Sequence, residues 1–148
     1  MNIQSAIIKG TNILKSKCIL SAQLDAEILL SKVIGKDKKY IILNNFKKLS
    51  IDNVRKFEQL INERSKKKPV AHLTYKKFFW NYEFLVSKDT LIPRPDTELI
   101  VEEALNITKY KNKLNILEIG IGSGCILLSI LKEKKNFFGT GIDISKNC

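Results

Sequence analysis

The sequence is poor in several residues that often announce chemistry: its 148 residues include one His, one Met, one Trp, three Pro and three Cys. Cys18, Cys125 and Cys148 are odd in number and widely spaced, with no CxxC or Cys/His ligand pattern. Neither a disulfide framework nor a zinc site is expected, and no other metal. No apolar run approaches the ~20 residues of a membrane span, and the opening MNIQSAIIKG lacks the basic start and apolar block of a signal peptide. A cytoplasmic protein with no membrane partner is therefore expected. The 44% hydrophobic content can build a real core, in one domain or two small ones.

Acidic residues are also short, 15 against 26 basic, for a net charge of +11. Lys and Arg that neutralise phosphates supply most non-specific nucleic-acid affinity. Only three of the basic residues are Arg, however, and the chain is crowded with Asn and Ile, the mix that A+T-rich codons produce. Residues 1–70 carry 15 basic and 6 acidic side chains, residues 71–148 carry 11 and 9. The basic first half could meet an acidic partner such as ribosomal RNA, but solvated lysines on helices are the better reading, so direct nucleic-acid binding is not favoured.

Helical periodicity dominates the first 68 residues. Ala22, Ala26, Leu29, Leu30 and Val33 share one helix face, and Gly35 stands where a helix stops. Ser50 is placed to cap a second helix with Val54, Phe57, Leu60 and Ile61 as its stripe, closed by RSKKKP. Ile3 to Leu14 reads as another. Nothing here resembles a catalytic constellation, so residues 1–68 are expected to be a small all-helical domain that positions something.

From Lys77 the texture changes. FFWNYEFLV suits two short strands joined by a turn at Asn81-Tyr82, and residues 69–92 are read as a linker carrying this hairpin. In LIPRPDTELIVEEAL, Pro93 and Pro95 fix a loop, and a helix follows in which Leu99, Ile100, Ala104 and Leu105 are expected to face a core. LNILEIG, IGSG, CILLSILKEKK and FFGTGID then read as strand, turn, helix and strand, one βαβ unit and the start of a mostly parallel sheet.

A glycine turn between a buried strand and a helix lets backbone approach a ligand closely. A dinucleotide fingerprint would need Gly at position 125, which is Cys. The motif present is Glu118-x-Gly120-x-Gly122-x-Gly124, which is similar to the first motif of S-adenosylmethionine-dependent methyltransferases. Asp143 closes the next strand, 19 residues after Gly124, where a carboxylate suits ribose hydroxyls. An acid there serves NAD equally well, and both Glu118 and Asp143 could instead simply cap strand ends.

Residues 69–105, with LIPRPDTE as the discriminating piece, resemble the linker and helix that precede the glycine motif in the peptide chain release factor N5-glutamine methyltransferases, the HemK/PrmC family. The resemblance covers essentially the whole chain. It implies an α/β fold: a helical substrate-positioning domain, a β-hairpin linker, and from residue 93 the first part of a Rossmann-like, S-adenosylmethionine-dependent methyltransferase domain. It also implies that Gly120, Ile121, Gly122, Ser123 and Gly124 hold the methionine end of the cofactor, Asp143 the ribose and Glu118 the vicinity of the amino group. Arg94 and Thr97 would border the pocket. The implied partners are class I release factors, whose Gly-Gly-Gln glutamine is methylated, and the implied state is a monomer.

The sequence departs from that family in places. His72 stands where the family usually has Tyr, Tyr75 where it has Gly and Phe78 where it has Glu, which puts the linker's local geometry in question. The Asn-Pro-Pro-Tyr segment with which the family orients the glutamine amide is absent, since no Asn-Pro pair occurs. This chain is expected to be the first half of such an enzyme, with no catalytic residue and no activity alone. Two alternatives stay open: part of a ribosomal-protein glutamine or DNA adenine methyltransferase, or a non-catalytic remnant that binds a release factor or RNA.

Overall fold

In the computed structural model, which describes residues 1–147, the chain divides into two compact units, Met1–Thr74 and Tyr75–Cys148. Among the described residues no helix is long and apolar enough to cross a membrane.

The first unit is built from α1 (Ile3–Ser16), α2 (Ala22–Ile34), α3 (Lys38–Leu43), α4 (Ile51–Ser65) and α5 (Val70–Thr74). Side chains start three of them: Asn2, Asp37 and Ser50 each accept from the backbone N–H three residues on, supplying orphan donors with an acceptor. Gly35 ends α2 in the left-handed conformation at φ 66°, the stop its position implied. Ile3, Leu14, Leu29, Leu30, Phe57 and Ile61 are almost fully buried and make one core. Gly10 lets α1 lie close to α4, since a Cβ there would meet Phe57 Cζ at 2.8 Å. Across the same core Arg64 Nε donates to Asp25 Oδ2 at 2.7 Å, both side chains being largely buried.

The helical unit does not end at residue 68. Leu73 is buried in this core and Val70 packs against it, so α5, in the stretch read as linker, completes the helical unit and compactness runs to Thr74. Tyr75 follows with φ 61°. This is the left-handed backbone that glycine takes freely and an L-side chain takes at a cost, so the position needs the geometry of the residue it lacks.

The second unit starts with the hairpin β1 (Lys76–Phe79) and β2 (Tyr82–Leu85), whose register pairs Phe79 with Tyr82. The two-residue loop is thus Trp80-Asn81 and not Asn81-Tyr82, and Trp80, not Asn81, takes the positive φ, at 55°. Trp80 is tied at both ends: its N–H donates to Glu98 Oε1 at 2.8 Å and its indole to Glu133 Oε1 at 3.0 Å. Tyr82 donates to the same Glu133 oxygen at 3.2 Å. Phe79 and Phe84 meet edge to face with centroids 6.1 Å apart.

A 3-10 turn over Pro95–Thr97 leads into α6 (Glu98–Ile107). Its fully buried residue is Val101, with Ala104 and Leu105 partly buried beside it. Leu99 and Ile100, expected to face a core, are 61% and 54% exposed. They line an open apolar trough on α6 instead, because only one side of that helix is covered within this unit.

β3 (Asn115–Ile119) and β4 (Phe138–Ile142) pair in parallel with α7 (Cys125–Glu133) between them, the expected βαβ unit. Gly139 and Gly141 of β4 turn toward the helical side. A Cβ on Gly139 would stand 2.7 Å from Leu127 Cδ1, and one on Gly141 would overlap the Ile121 side chain. Alternation along the strands leaves Leu117, Ile119, Phe138 and Ile142 exposed on the opposite face. Among the described residues the architecture is thus mixed: a helical unit, then two small sheets with two helices.

Candidate functional site

The site forms where β3 and β4 end together. Gly120 and Ile121 both donate their N–H to the Ile142 carbonyl, at 2.8 and 3.0 Å, so the parallel ladder runs into the turn. Gly120, Gly122 and Gly124 then take φ of 78°, 51° and 72°, three left-handed residues on alternate positions, which explains why the sequence supplies glycine at each. Gly124 donates to the Ile121 carbonyl at 2.8 Å and serves as the N-cap of α7 without a side chain to do so.

Two carboxylates complete the turn. Gly122 N–H donates to Asp143 Oδ2 at 2.8 Å, and the other oxygen of Asp143 accepts from Ser145 N–H at 2.9 Å. Glu118 Oε2 accepts from Leu127 N–H at 3.0 Å, reaching from β3 to the first turn of α7 and supplying the cap that Gly124 cannot. Burial pushes the Glu118 carboxyl above the ordinary glutamate range, with the Leu127 N–H pulling it back. Burial likewise raises the Cys125 thiol, and the neighbouring Glu118 adds to this, while hydrogen bonds from Ser123 and the backbone work against it. Cys125 is therefore a neutral, buried thiol at the start of α7.

Ile119, Gly120, Ile142, Asp143 and Ile144 line an open cleft of about 340 Å³, at the small end of the range for small-molecule sites. The α6 trough is larger, about 420 Å³, but only Glu103 brings charge to its apolar lining, so no convergent polar groups define a ligand there. Beyond its two chain neighbours, no heavy atom lies within 4 Å of where a Cβ on Gly120 would stand, so the turn is open beside the cleft. Yet the N–H groups of Gly120, Ile121, Gly122 and Gly124 are all taken by protein acceptors. A pyrophosphate needs such donors free and dislikes two adjacent carboxylates. A ligand that offers hydroxyls or a positive charge meets acceptors instead.

Of the residues singled out in the sequence, Glu118, Gly120, Ile121, Gly122, Ser123, Gly124 and Asp143 thus lie in one continuous structure. Arg94 is exposed and Thr97 half-buried, around the 3-10 turn, and no side-chain bond from either reaches the glycine turn among the described residues. Thr90, a residue that sequence reasoning passed over, borders the space beside the turn: its Cγ2 is 4.0 Å from the point a Cβ on Gly122 would occupy. Glu98, the last residue of LIPRPDTE, holds the hairpin tip. Gly139 and Gly141 carried one legible signal, glycine at alternate positions of a strand, which marks close packing. No group of three or more His, Cys, Asp or Glu able to hold a metal occurs among the described residues.

Comparison with known proteins follows the same division. Residues 5–74 match the family described as the PrmC N-terminal domain. Over 139 residues the chain is 41% identical to a release factor glutamine methyltransferase of Buchnera aphidicola subsp. Baizongia pistaciae, covering 94% of this chain and 50% of that protein. It is 39% identical over 123 residues to the release factor glutamine methyltransferase of Shewanella oneidensis, covering 83% and 43%. A bifunctional methyltransferase of Rickettsia conorii is 35% identical over 168 positions, with 97% of this chain and 32% of that protein covered. The chain spans about half the length of the release factor glutamine methyltransferases it matches.

Proposed function

The chain belongs to the family of the release factor glutamine methyltransferases, and from that premise we propose that it is the substrate-positioning and cofactor-binding part of an enzyme that methylates the Gly-Gly-Gln glutamine of class I release factors. The second unit is then the beginning of a Rossmann-like methyltransferase domain, and the first unit positions the release factor.

The cofactor on this reading is S-adenosylmethionine, which supplies an electrophilic methyl on a sulfonium sulfur. The observation that carries the reading is the Gly122 N–H to Asp143 bond at 2.8 Å. It joins the open glycine turn to the acid at the end of the neighbouring strand. Gly120 to Gly124 bring backbone close to the methionine end, and the Asp143 carboxylate, at the end of the neighbouring strand, accepts the ribose hydroxyls. Glu118, spent partly on capping α7, adds negative potential that favours a cation. The occupied amides of the turn support a nucleoside without phosphate over a dinucleotide. Arg94 and Thr97 remain on the pocket's border in this proposal.

An amide nitrogen is a poor nucleophile, so orientation of the glutamine must come from groups that accept its hydrogens. The sequence has no Asn-Pro-Pro-Tyr segment to do so, and we assign no catalytic residue to it. The purified chain should retain labelled S-adenosylmethionine in equilibrium dialysis, displaced by S-adenosylhomocysteine and not by NAD, while transferring no label to a release factor. Retention of NAD in preference would overturn the cofactor assignment, and methyl transfer by the chain alone would overturn the division of labour.

A further inference from the structure

We propose that the α3 segment, residues 36–48, is the surface on which the helical unit docks an acidic, partly apolar face of the release factor. Within α3 itself only Ile41 is buried. Ile42, Leu43 and, in the turn that follows, Phe46 are 60%, 81% and 75% exposed. One exposed leucine is ordinary, but three large apolar side chains within five positions mark a surface that another molecule covers. Lys39 lies three residues before Ile42 and four before Leu43, so all three share one side of the helix. Tyr40 gathers two further cations. The ammoniums of Lys36 and Lys47 lie 5.6 and 5.5 Å from its ring centroid, and Lys47 also donates to its hydroxyl at 2.8 Å.

Residues 36–48 hold five lysines and a single acid, Asp37, whose carboxylate caps α3. Lys38 is paired with Glu27, and no carboxylate among the described residues pairs with Lys36, Lys39 or Lys47. An apolar centre with a cationic rim is the anatomy of a protein interface, and the rim calls for carboxylates opposite it. Single-stranded RNA would need aromatic platforms and arginine, whereas Phe46 is the one exposed aromatic of the segment and no Arg occurs in it. At six residues α3 is too short to lay a wide apolar face into a membrane. The choice of a release factor as occupant rests on the proposed function above, and the choice of surface rests on α3 alone.

Calorimetric titration of the chain with a purified class I release factor, at low and at high salt, tests the surface. Leu43→Ser and Phe46→Ser should each weaken binding about tenfold, the scale of one large apolar side chain buried, and should keep the wild-type melting temperature because both side chains are exposed. Lys39→Glu should weaken binding several-fold at low salt and less at high salt. Leu20→Ser, at an exposed apolar position outside the segment, should bind as the wild type does. Wild-type affinity in both Leu43→Ser and Phe46→Ser overturns the docking surface and leaves the proposed function standing. No binding by the wild-type chain removes both. Self-association of the wild-type chain in sedimentation, lost in Leu43→Ser, would make the patch an interface between copies and overturn the proposal, as would tighter binding of an oligoribonucleotide that Lys39→Glu abolishes.

Discussion

The backbone N–H of Leu127 donates to Glu118 Oε2 at 3.0 Å, so α7 is capped by a carboxylate from the strand that precedes its turn. Burial outweighs that bond and keeps the Glu118 carboxyl above its ordinary value of 4.5. Below that value the group is protonated folded and unfolded, and its ionisation costs the fold nothing. As pH rises, the unfolded chain releases its proton first, so this contribution to stability is lost through the raised folded value. Glu118→Gln keeps an acceptor for Leu127 without the charge. Melting temperatures measured between about pH 4 and about pH 7 should therefore show the variant gaining on the wild type as pH rises. A variant that falls behind with rising pH would mean that attraction between the carboxylate and the helix N-terminus dominates.

The Asp25–Arg64 pair ties α2 to α4, with 7% of the Asp25 side chain and 16% of the Arg64 side chain exposed. Asp25→Ala takes the carboxylate from a part-buried guanidinium that keeps the Lys68 carbonyl at 3.3 Å, a loss of about 1.5–3 kcal/mol in denaturant unfolding. Lys66→Ala, which breaks the exposed pair with Glu63, should leave the unfolding midpoint almost unchanged. Equal, small effects from the two would show that Arg64 finds water or another acceptor.

Tyr75→Gly should stabilise the protein by up to about 1 kcal/mol, because relief of the left-handed strain at φ 61° exceeds the extra freedom glycine gives the unfolded chain. Tyr75→Ala, which keeps a Cβ, should bring no gain. Chemical unfolding of the three proteins distinguishes the cases, and a loss of stability in Tyr75→Gly would mean that the tyrosine ring contributes more than its backbone costs.

Much of this was legible in local signals. Gly35 and Ser50 act within a few residues of themselves, and the periods of α2 and α4 need only one buried face each, so both helices could be read directly. Other features depend on distant partners. Trp80 holds a backbone conformation suited to glycine because Glu98 and Glu133 grip it from elsewhere in the chain, which no turn propensity encodes. Leu99 and Ile100 look like core residues by composition, and whether they are covered depends on the packing of α6 within its unit. The glycines of the candidate site announced themselves by spacing after an apolar strand.

The most direct test of the cofactor assignment is a titration of the isotopically labelled chain with S-adenosylhomocysteine followed by amide NMR, with NAD as the comparison. The N–H signals of Gly120, Gly122, Gly124 and Asp143 should shift together and saturate with S-adenosylhomocysteine and stay in place with NAD. Asp143→Ala should weaken the response by roughly 1.5–3 kcal/mol, the scale of hydrogen bonds to a charged group, and Gly122→Val should abolish it through the positive φ that valine resists. Shifts confined to other residues, an unchanged response in both variants, or a stronger response to NAD would contradict the assignment.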